Sequence, residues 1–224
     1  LEIYRDDLLG QQYAGNSFTA EPVNLLVHRR VIAPDGVTFS GRRADNERDR
    51  EFLTSTDSWF RPVQIRTGLD GCLWVVDMHR SVIEHPTWIS AEAMETLDPS
   101  AGNAEARIFR VRPKDGQPRP LVDLRQLSTA DLVAALDSPN GPQRDLVQQL
   151  ILQRKLQVAA PYLEAMLATS KRPEARLAAL NALAKLEALN ENSLLGALRD
   201  PHDAVRAHAI RLSERFFDRS PAIV

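Results

Sequence analysis

The chain has 224 residues, 43% of them hydrophobic and 26% charged, which is ordinary for a globular protein with one large or two small domains. Its 28 lysines and arginines nearly balance 30 aspartates and glutamates, and a formal charge of −2 without a basic block excludes nucleic acid as the expected partner. The single cysteine, Cys72, excludes a disulfide framework and a c-type haem attachment motif.

The sequence predicts no membrane-spanning segment, because no run of about 18 apolar residues occurs. The chain opens on Leu1 rather than Met and shows no signal-peptide pattern. We interpret this opening as the sign of a processed or excised piece.

Residues 1–125 carry short runs of aromatic and β-branched residues separated by Gly, Pro, Asn and Asp, which predicts a β-rich domain. Segment 16–32 suggests two strands, with His28 and Arg29 as polar residues in a largely apolar stretch. If the chain holds a catalytic base, His28 is the best-placed candidate, but we favour its interpretation as a satisfied core histidine. The mostly charged segment 41–50 is interpreted as a solvated loop, with anion binding by its arginines as the alternative.

The most informative stretch is Trp59–Pro86. A strand leads into an Asp-Gly turn at 70–71, and the apolar run 72–76 predicts a second, buried strand. The ionisable residues that follow this strand are Asp77, His79, Arg80, Glu84 and His85. Such a density at a strand end is typical of sites and of solvated loops, and we favour the loop. A metal site from the two histidines and Glu84 is not adopted, because their spacing matches no strong signature.

Asp-Gly turns recur along the first half, at 35–36, 70–71 and 115–116, about 35 to 45 residues apart. That interval matches the length of a β-propeller blade, which is a sheet of four strands. The sequence therefore predicts the last blades of a β-propeller over residues 1–125.

After Ser128 the apolar residues recur at helical spacing and predict six short helices over residues 126–224. Arginines recur at intervals of 32 and 30 residues, at Arg144, Arg176 and Arg206. Prolines mark the expected start of each second helix, at Pro142, Pro173 and Pro201. We expect three helix pairs in a HEAT-like solenoid, with Asp200 as the N-cap of the last helix.

Three segments carry a family resemblance: EPVNLLVHR at 21–29, EFLTSTDSWFRPVQIRTGLDGCLWVVDMHRSVIEHPTWI at 51–89 and ARIFRVRP at 106–113. Followed by helical repeats, they resemble the membrane-bound dehydrogenase-like proteins of planctomycetes and verrucomicrobia. In that family a propeller similar to the quinoprotein sugar dehydrogenases precedes HEAT-like repeats and a c-type cytochrome domain. The resemblance covers nearly the whole chain, and its middle segment is specific.

The resemblance implies a periplasmic or otherwise extracytoplasmic oxidoreductase, in which pyrroloquinoline quinone (PQQ) with Ca²⁺ oxidises a sugar or an alcohol and electrons pass to haem. It also implies a histidine base and arginines that hold the quinone carboxylates. His28 is the candidate base, Arg29, Arg61 and Arg80 are candidates for cofactor binding, and no residue is assigned to a metal. The chain departs from the family because it holds only the last part of a propeller and no Cys-x-x-Cys-His haem motif.

Two functions follow as hypotheses. One is a fragment of a PQQ-dependent dehydrogenase, in which Arg61 anchors a carboxylate with two parallel hydrogen bonds. The other is a non-catalytic binding or scaffold module, whose propeller loops and helical repeats hold a protein or glycan partner.

Overall fold

A computed structural model describes residues 1–217 and 220 of the chain. The chain divides into two compact units, Leu1–Pro120 and Leu121–Val224. Each unit buries a hydrophobic cluster of its own.

The first unit is built mainly from short antiparallel strands. Its strands are β1 (Glu2–Ile3), β2 (Ser17–Glu21), β3 (Leu26–Asp35), β4 (Thr38–Arg42), β5 (Leu53–Thr54), β6 (Pro62–Thr67), β7 (Leu73–Asp77) and β8 (Arg107–Val111). A short helix, α1 (Ala91–Met94), lies between β7 and β8.

β3 is the central strand of the larger sheet. It pairs with β2 along Leu26–Arg30, and with β5 and then β4 along its opposite edge. The sheet order is β1-β2-β3-β4 with β5 beside β3, and β6-β7-β8 form a separate sheet. Side chains of both sheets share one core, whose largest fully buried members are Tyr4, Phe18, Val27, Leu73 and Val75.

The predicted fold class, a partial β-propeller followed by a HEAT-like solenoid, is wrong. The described strands form antiparallel sheets of five and three strands, and neither sheet closes into a barrel or builds a four-stranded blade. The chain is therefore a mixed α/β protein. The three Asp-Gly turns are not equivalent, so their spacing does not mark propeller blades. Turns 35–36 and 70–71 join paired strands, whereas none of the described residues after turn 115–116 lies in a strand.

Arg119 ties the two ends of the first unit together. Its Nη1 donates to both carboxylate oxygens of Asp6, at 2.6 and 2.7 Å, and its Nη2 pairs with Asp7. The backbone N–H of Arg119 donates to the carbonyl of Asp70 at 2.9 Å. Because the Asp6 side chain is fully buried, its charge requires such a partner.

The second unit is helical. Its α-helices are α2 (Thr129–Ala134), α3 (Gly141–Gln153), α4 (Ala160–Thr169), α5 (Pro173–Lys185), α6 (Glu191–Leu198) and α7 (Asp203–Ser213). α2, α4 and α6 pack side by side in one layer, and α3, α5 and α7 do so in a second. The fully buried side chains between the layers include Leu132, Leu163, Leu180 and Leu194. In the part of the chain that is described, no helix is both long and apolar enough to cross a membrane.

The recurring arginines of the helical half repeat one contact. Each donates from Nη1 to the carbonyl six residues before it: Arg144 to Ser138 at 2.7 Å, Arg176 to Ser170 at 2.9 Å and Arg206 to Asp200 at 2.8 Å. Each contact reaches from the first turns of a second-layer helix back to the loop that precedes it. The sequence repeat therefore records a structural contact.

Replacing Arg119 by Met should destabilise the first unit by about 2 kcal/mol, because the buried Asp6 carboxylate loses this cation. All three tryptophans lie in this unit, so urea unfolding followed by tryptophan fluorescence measures its stability. Arg48→Met is the matched control, since Arg48 is 74% exposed and its surface ion pair contributes little. Equal losses for the two variants would contradict this role of Arg119.

Candidate functional site

The ionisable residues after β7 gather around one buried carboxylate. Asp77 is fully buried; its Oδ1 accepts from the backbone N–H groups of Arg61 at 2.7 Å and His79 at 2.9 Å. Its Oδ2 accepts from Nε of Arg107 at 2.8 Å, and Nη2 of that arginine also reaches Asp57 at 2.8 Å. We name Asp57, Asp77, His79, Glu105 and Arg107 the strand-end cluster. Its arginine and aspartates hold three chain segments together.

Of the side chains in the strand-end cluster, His79 is the type best suited to proton transfer. Its backbone has a φ of 50°, its Nε2 lies 3.4 Å from Asp57 and its ring centroid lies 5.5 Å from that of Trp59. Its Nδ1 lies 3.3 Å from a carboxylate oxygen of Glu105 but without hydrogen-bond geometry, and this buried nitrogen has no hydrogen-bond partner among the described residues. Nowhere in the described residues do three His, Cys, Asp or Glu side chains converge as metal ligands.

Glu84 and His85 do not join the strand-end cluster. The Glu84 carboxylate accepts from the backbone N–H of Ile83, and His85 Nδ1 accepts from that of Thr87 at 3.2 Å. Both residues are exposed. The interpretation of this segment as a solvated loop therefore describes these two residues, while Asp77 and His79 are packed inside the unit.

The candidate base His28 lies on β3 and forms a pair with Glu51. Its Nδ1 is 2.6 Å from Glu51 Oε2, and Arg43 reaches the other oxygen at 2.7 Å. Burial raises the pKa of Glu51, but the hydrogen bonds from His28 and Arg43 outweigh it and lower the pKa below its usual range. With a proton on Nδ1, the opposite ring nitrogen could accept a proton, so the pair can orient a base.

Arg29 cannot share a site with His28. Adjacent residues of a strand point to opposite faces of the sheet. Arg29 is 2% exposed, and its guanidinium donates to Glu47, to Asn46 and to the carbonyl of Gln12. Its cation also lies 4.5 Å from the ring centroid of Tyr13. Arg29 is thus a satisfied core residue.

The heads of Arg61 and Arg80 are also engaged inside the unit. Arg61 donates from Nη1 to the carbonyl of Pro22 at 3.3 Å and from Nη2 to that of Ser81 at 3.0 Å. Arg80 donates from Nη2 to the carbonyl of Pro99 at 2.6 Å. The two Nη groups with which Arg61 would bind a carboxylate already donate to these carbonyls. His28, Arg29, Arg61 and Arg80 therefore do not fit a shared site for a quinone with carboxylate groups.

A buried ion pair in the second unit was missed from the sequence. Arg176 donates from Nε and Nη2 to the two oxygens of Asp200, both at 2.7 Å, with side chains only 10% and 6% exposed. Asp200 also accepts from the backbone N–H of His202, whose Nδ1 accepts from Ala204 at the start of α7. The N-cap is thus His202, and the prediction of Asp200 as N-cap is wrong by two residues.

Two grooves lie between the first-layer helices. The groove between α2 and α4 has a volume of about 490 Å³, and the groove between α4 and α6 about 600 Å³. Ser170 lines both, so the grooves adjoin at the end of α4. The buried pair of Arg176 and Asp200 also lines the second groove, and its hydrogen bonds fix the turn beneath it.

The first half of the chain matches a known protein family. The sequence profile of a domain of unknown function, DUF7133, matches residues 1–115, which include all eight described strands. The chain belongs to this family. Neither the curated proteins nor the solved structures contain a match.

Asp200→Asn should lower the stability of the second unit at neutral pH by about 3 kcal/mol and reduce its acid sensitivity. The hydrogen bonds from Arg176 hold the pKa of Asp200 below its usual range. A lowered pKa means stability that is fully present above the ordinary value near 4 and is lost as the pH falls through the folded-state value. Thermal midpoints from far-UV circular dichroism between about pH 6 and about pH 2 measure this slope.

The matched control for Asp200→Asn is Glu214→Gln, which changes an exposed carboxylate of the same unit. We expect it to keep the stability and pH dependence of the unchanged chain. An Asp200→Asn variant with the same acid slope as the unchanged chain would contradict the assignment.

Proposed function

We propose that this chain is a non-catalytic binding module, and that its second unit holds an extended peptide of a partner protein. The observation that carries the proposal is the pair of adjoining grooves beside α4, which meet at Ser170. Successive grooves along parallel helices suit an extended chain, because its side chains can enter one groove after another.

Each groove carries one exposed cation that is available to a ligand. Lys171 lines one groove and Arg199 the other, both are exposed, and neither side chain has an ionic or hydrogen-bond partner among the described residues. Each groove also carries one carboxylate that keeps its charge, since Glu164 accepts only from Asn190 at 2.6 Å and Asp137 only from Ser170 at 2.7 Å among the described side chains. The grooves therefore offer charges of both signs to a peptide, with Lys171 and Arg199 as side-chain donors that have no partner of their own.

A peptide is favoured over a glycan by the walls of the larger groove. Among the described residues that line it none is aromatic, and the apolar members are small or aliphatic, such as Leu167, Ala168 and Ala197. Such walls accept small apolar side chains but offer no aromatic face for a sugar ring, whereas Tyr162 lines the smaller groove. Asn192 and Ser193 add side-chain groups that can bond to a peptide backbone.

The dehydrogenase hypothesis receives no support from the residues named for it. Arg29 is buried and satisfied, while Arg61 and Arg80 bond to backbone carbonyls. The pair of His28 and Glu51 can orient a base, but the arginines do not gather around it. The family resemblance remains the reason to test a quinone directly.

To test the groove, random peptides displayed on phage are selected for binding to the intact chain. The selected peptides are then labelled, and their affinity is measured by fluorescence anisotropy. Gly196 is the position to change, because a Cβ there would meet no atom within 4 Å. Gly196→Trp should fill the groove without disturbing the packing and weaken peptide binding at least about tenfold. Ala207→Trp places the same side chain on an exposed position of α7 and should leave binding unchanged.

Arg199→Gln should weaken binding and make it less sensitive to salt, because one charge contact is lost. Selected peptides that bind Gly196→Trp as tightly as the unchanged chain would contradict the groove. Groove-dependent binding on a glycan array, without peptide binding, would replace the peptide by a glycan. Saturable binding of PQQ with Ca²⁺ would favour the dehydrogenase hypothesis instead.

A further inference from the structure

The sheet β6-β7-β8 has one edge that is covered by its own side chains and one that is not. On the β6 edge the carboxylate of Glu2 accepts from the backbone N–H of Thr67 at 2.9 Å, and Nη1 of Arg66 donates to the carbonyl of Ile65 at 3.1 Å. On the far side of β8 none of the described strands pairs with it. The β8 edge is therefore the place to look for a missing partner.

The backbone bonds of β7 determine which groups of β8 face outward. The carbonyl of Cys72 accepts from Gly68 at 2.8 Å, and the N–H of Met78 donates to the carbonyl of Arg61 at 2.8 Å. Both bonds lead to the ends of β6. Because direction alternates along a strand, the even-numbered residues of β7 bond to β6 and the odd-numbered ones to β8.

The outward residues of β8 are Ile108 and Arg110. They lie opposite the even-numbered Val76 and Trp74, so their N–H and C=O groups point away from the sheet. No backbone or side-chain group in the described part of the chain bonds to them. These four groups can form the ladder of a further antiparallel strand.

The side chains of β8 do not block this edge. Natural edges are protected by lysine, proline, inward charges or bulges. β8 contains neither lysine nor proline, and it pairs with β7 without a bulge. Its arginines lie over the sheet instead of beyond it: Arg107 bonds to Asp77, and the cation of Arg110 lies 5.5 Å from the ring centroid of Trp74.

Apolar side chains of β8 are exposed on both faces of the sheet. Ile108 is 64% exposed on the outer face. Phe109 points to the core side, where its ring contacts that of Phe60, and is still 40% exposed. An added strand would cover both side chains and remove apolar surface from water.

We propose that the β8 edge binds an extended acidic segment of a partner protein, which joins the sheet as a fourth, antiparallel strand. The backbone of Ile108 and Arg110 would bond to the segment in both directions, and alternate side chains of the segment would cover Ile108 and Phe109. The inference concerns the first unit and goes beyond the groove proposed for the second.

The charges at the end of β8 favour an acidic partner. Arg110 is 46% exposed and reaches Asp70 only at 3.5 Å. Arg112 donates to the carbonyl of Gly116, and Lys114 is exposed, with no carboxylate bound to either among the described residues. One exposed carboxylate, Asp115, follows these three cations. Acidic side chains opposite Arg110 and Arg112 would therefore complement the edge.

A second copy of the chain fits this edge less well than an acidic segment does. β8 contains two arginines and no acidic residue. Two β8 strands in antiparallel pairing would therefore bring cations together and supply no carboxylate for them. We commit to the partner segment and treat self-association as an outcome of the test.

The test selects random peptides displayed on phage for binding to the intact Gly196→Trp chain, in which the groove of the second unit is filled. The selected peptides are labelled and titrated by fluorescence anisotropy. We expect acidic peptides that bind less tightly as the salt concentration rises.

Ile108→Pro is the sharpest variant, because it removes an outward N–H that has no partner within the described chain. Ile108→Ala removes the same side chain and keeps that N–H. The proline variant should bind the selected peptides at least about tenfold more weakly than the alanine variant. A surface that uses side chains alone would not distinguish the two.

Arg110→Glu tests the charge and should weaken binding at least about tenfold. Arg48→Glu makes the same change of charge at a side chain that is 74% exposed and lies outside β8, and should leave binding unchanged. Cooperative urea unfolding followed by tryptophan fluorescence shows that each variant still folds.

Equal affinity for Ile108→Pro and Ile108→Ala would overturn strand addition at β8. So would a selection that recovers no peptide, or only peptides without acidic residues. Self-association of the unchanged chain in sedimentation velocity, if Ile108→Pro abolishes it, would replace the partner segment by a second copy. Peptides that need the groove should bind Ile108→Pro as tightly as the unchanged chain, so failure of either proposal is distinguishable from failure of the other.

Discussion

The first unit depends on one buried carboxylate. Asp77 stands at the end of β7 without contact to water and accepts hydrogen bonds from the start of β6, from the exit of β7 and from Arg107 at the start of β8. A buried charge is tolerated only when such bonds replace its hydration. The ionisable residues crowd here because Asp77 joins three segments, and that function explains their density without a substrate.

The second unit uses the same chemistry to fix its turns. Arg176 bonds to a carbonyl in the preceding loop and, through Asp200, to the loop before α7. Helices that pack in two layers bury their leucines, but side-chain packing alone leaves loop carbonyls without partners. The arginines donate hydrogen bonds to these carbonyls and fix the loops, and the fixed loops determine the ends of the grooves. Binding in the second unit would thus rest on polar contacts that are themselves structural.

Local secondary structure could be predicted from the sequence better than contacts between residues that lie far apart in the chain. Strand, Asp-Gly turn and strand around 70–71 follow from residue types, as do the apolar faces of the helices after Ser128. The regular alternation of side chains between the two faces of a strand fails in β6 at Val63. This residue is 47% exposed because a bulge between Pro62 and Gln64 shifts the register. The bonds of Arg119 to Asp6 span 113 positions, and no local pattern reveals them. Turn spacing alone suggested propeller blades because it does not determine how many strands join a sheet.

The central claim is that the strand-end cluster is a structural joint, and the urea unfolding of Asp77→Asn tests it most directly. The amide would leave Arg107 without its buried countercharge, so tryptophan fluorescence should show a loss of about 3 kcal/mol in the first unit. Asp57→Asn changes a carboxylate that is 37% exposed and bonded to the same arginine, and should cost about 1 kcal/mol or less. An Asp77→Asn variant no less stable than Asp57→Asn would contradict the claim.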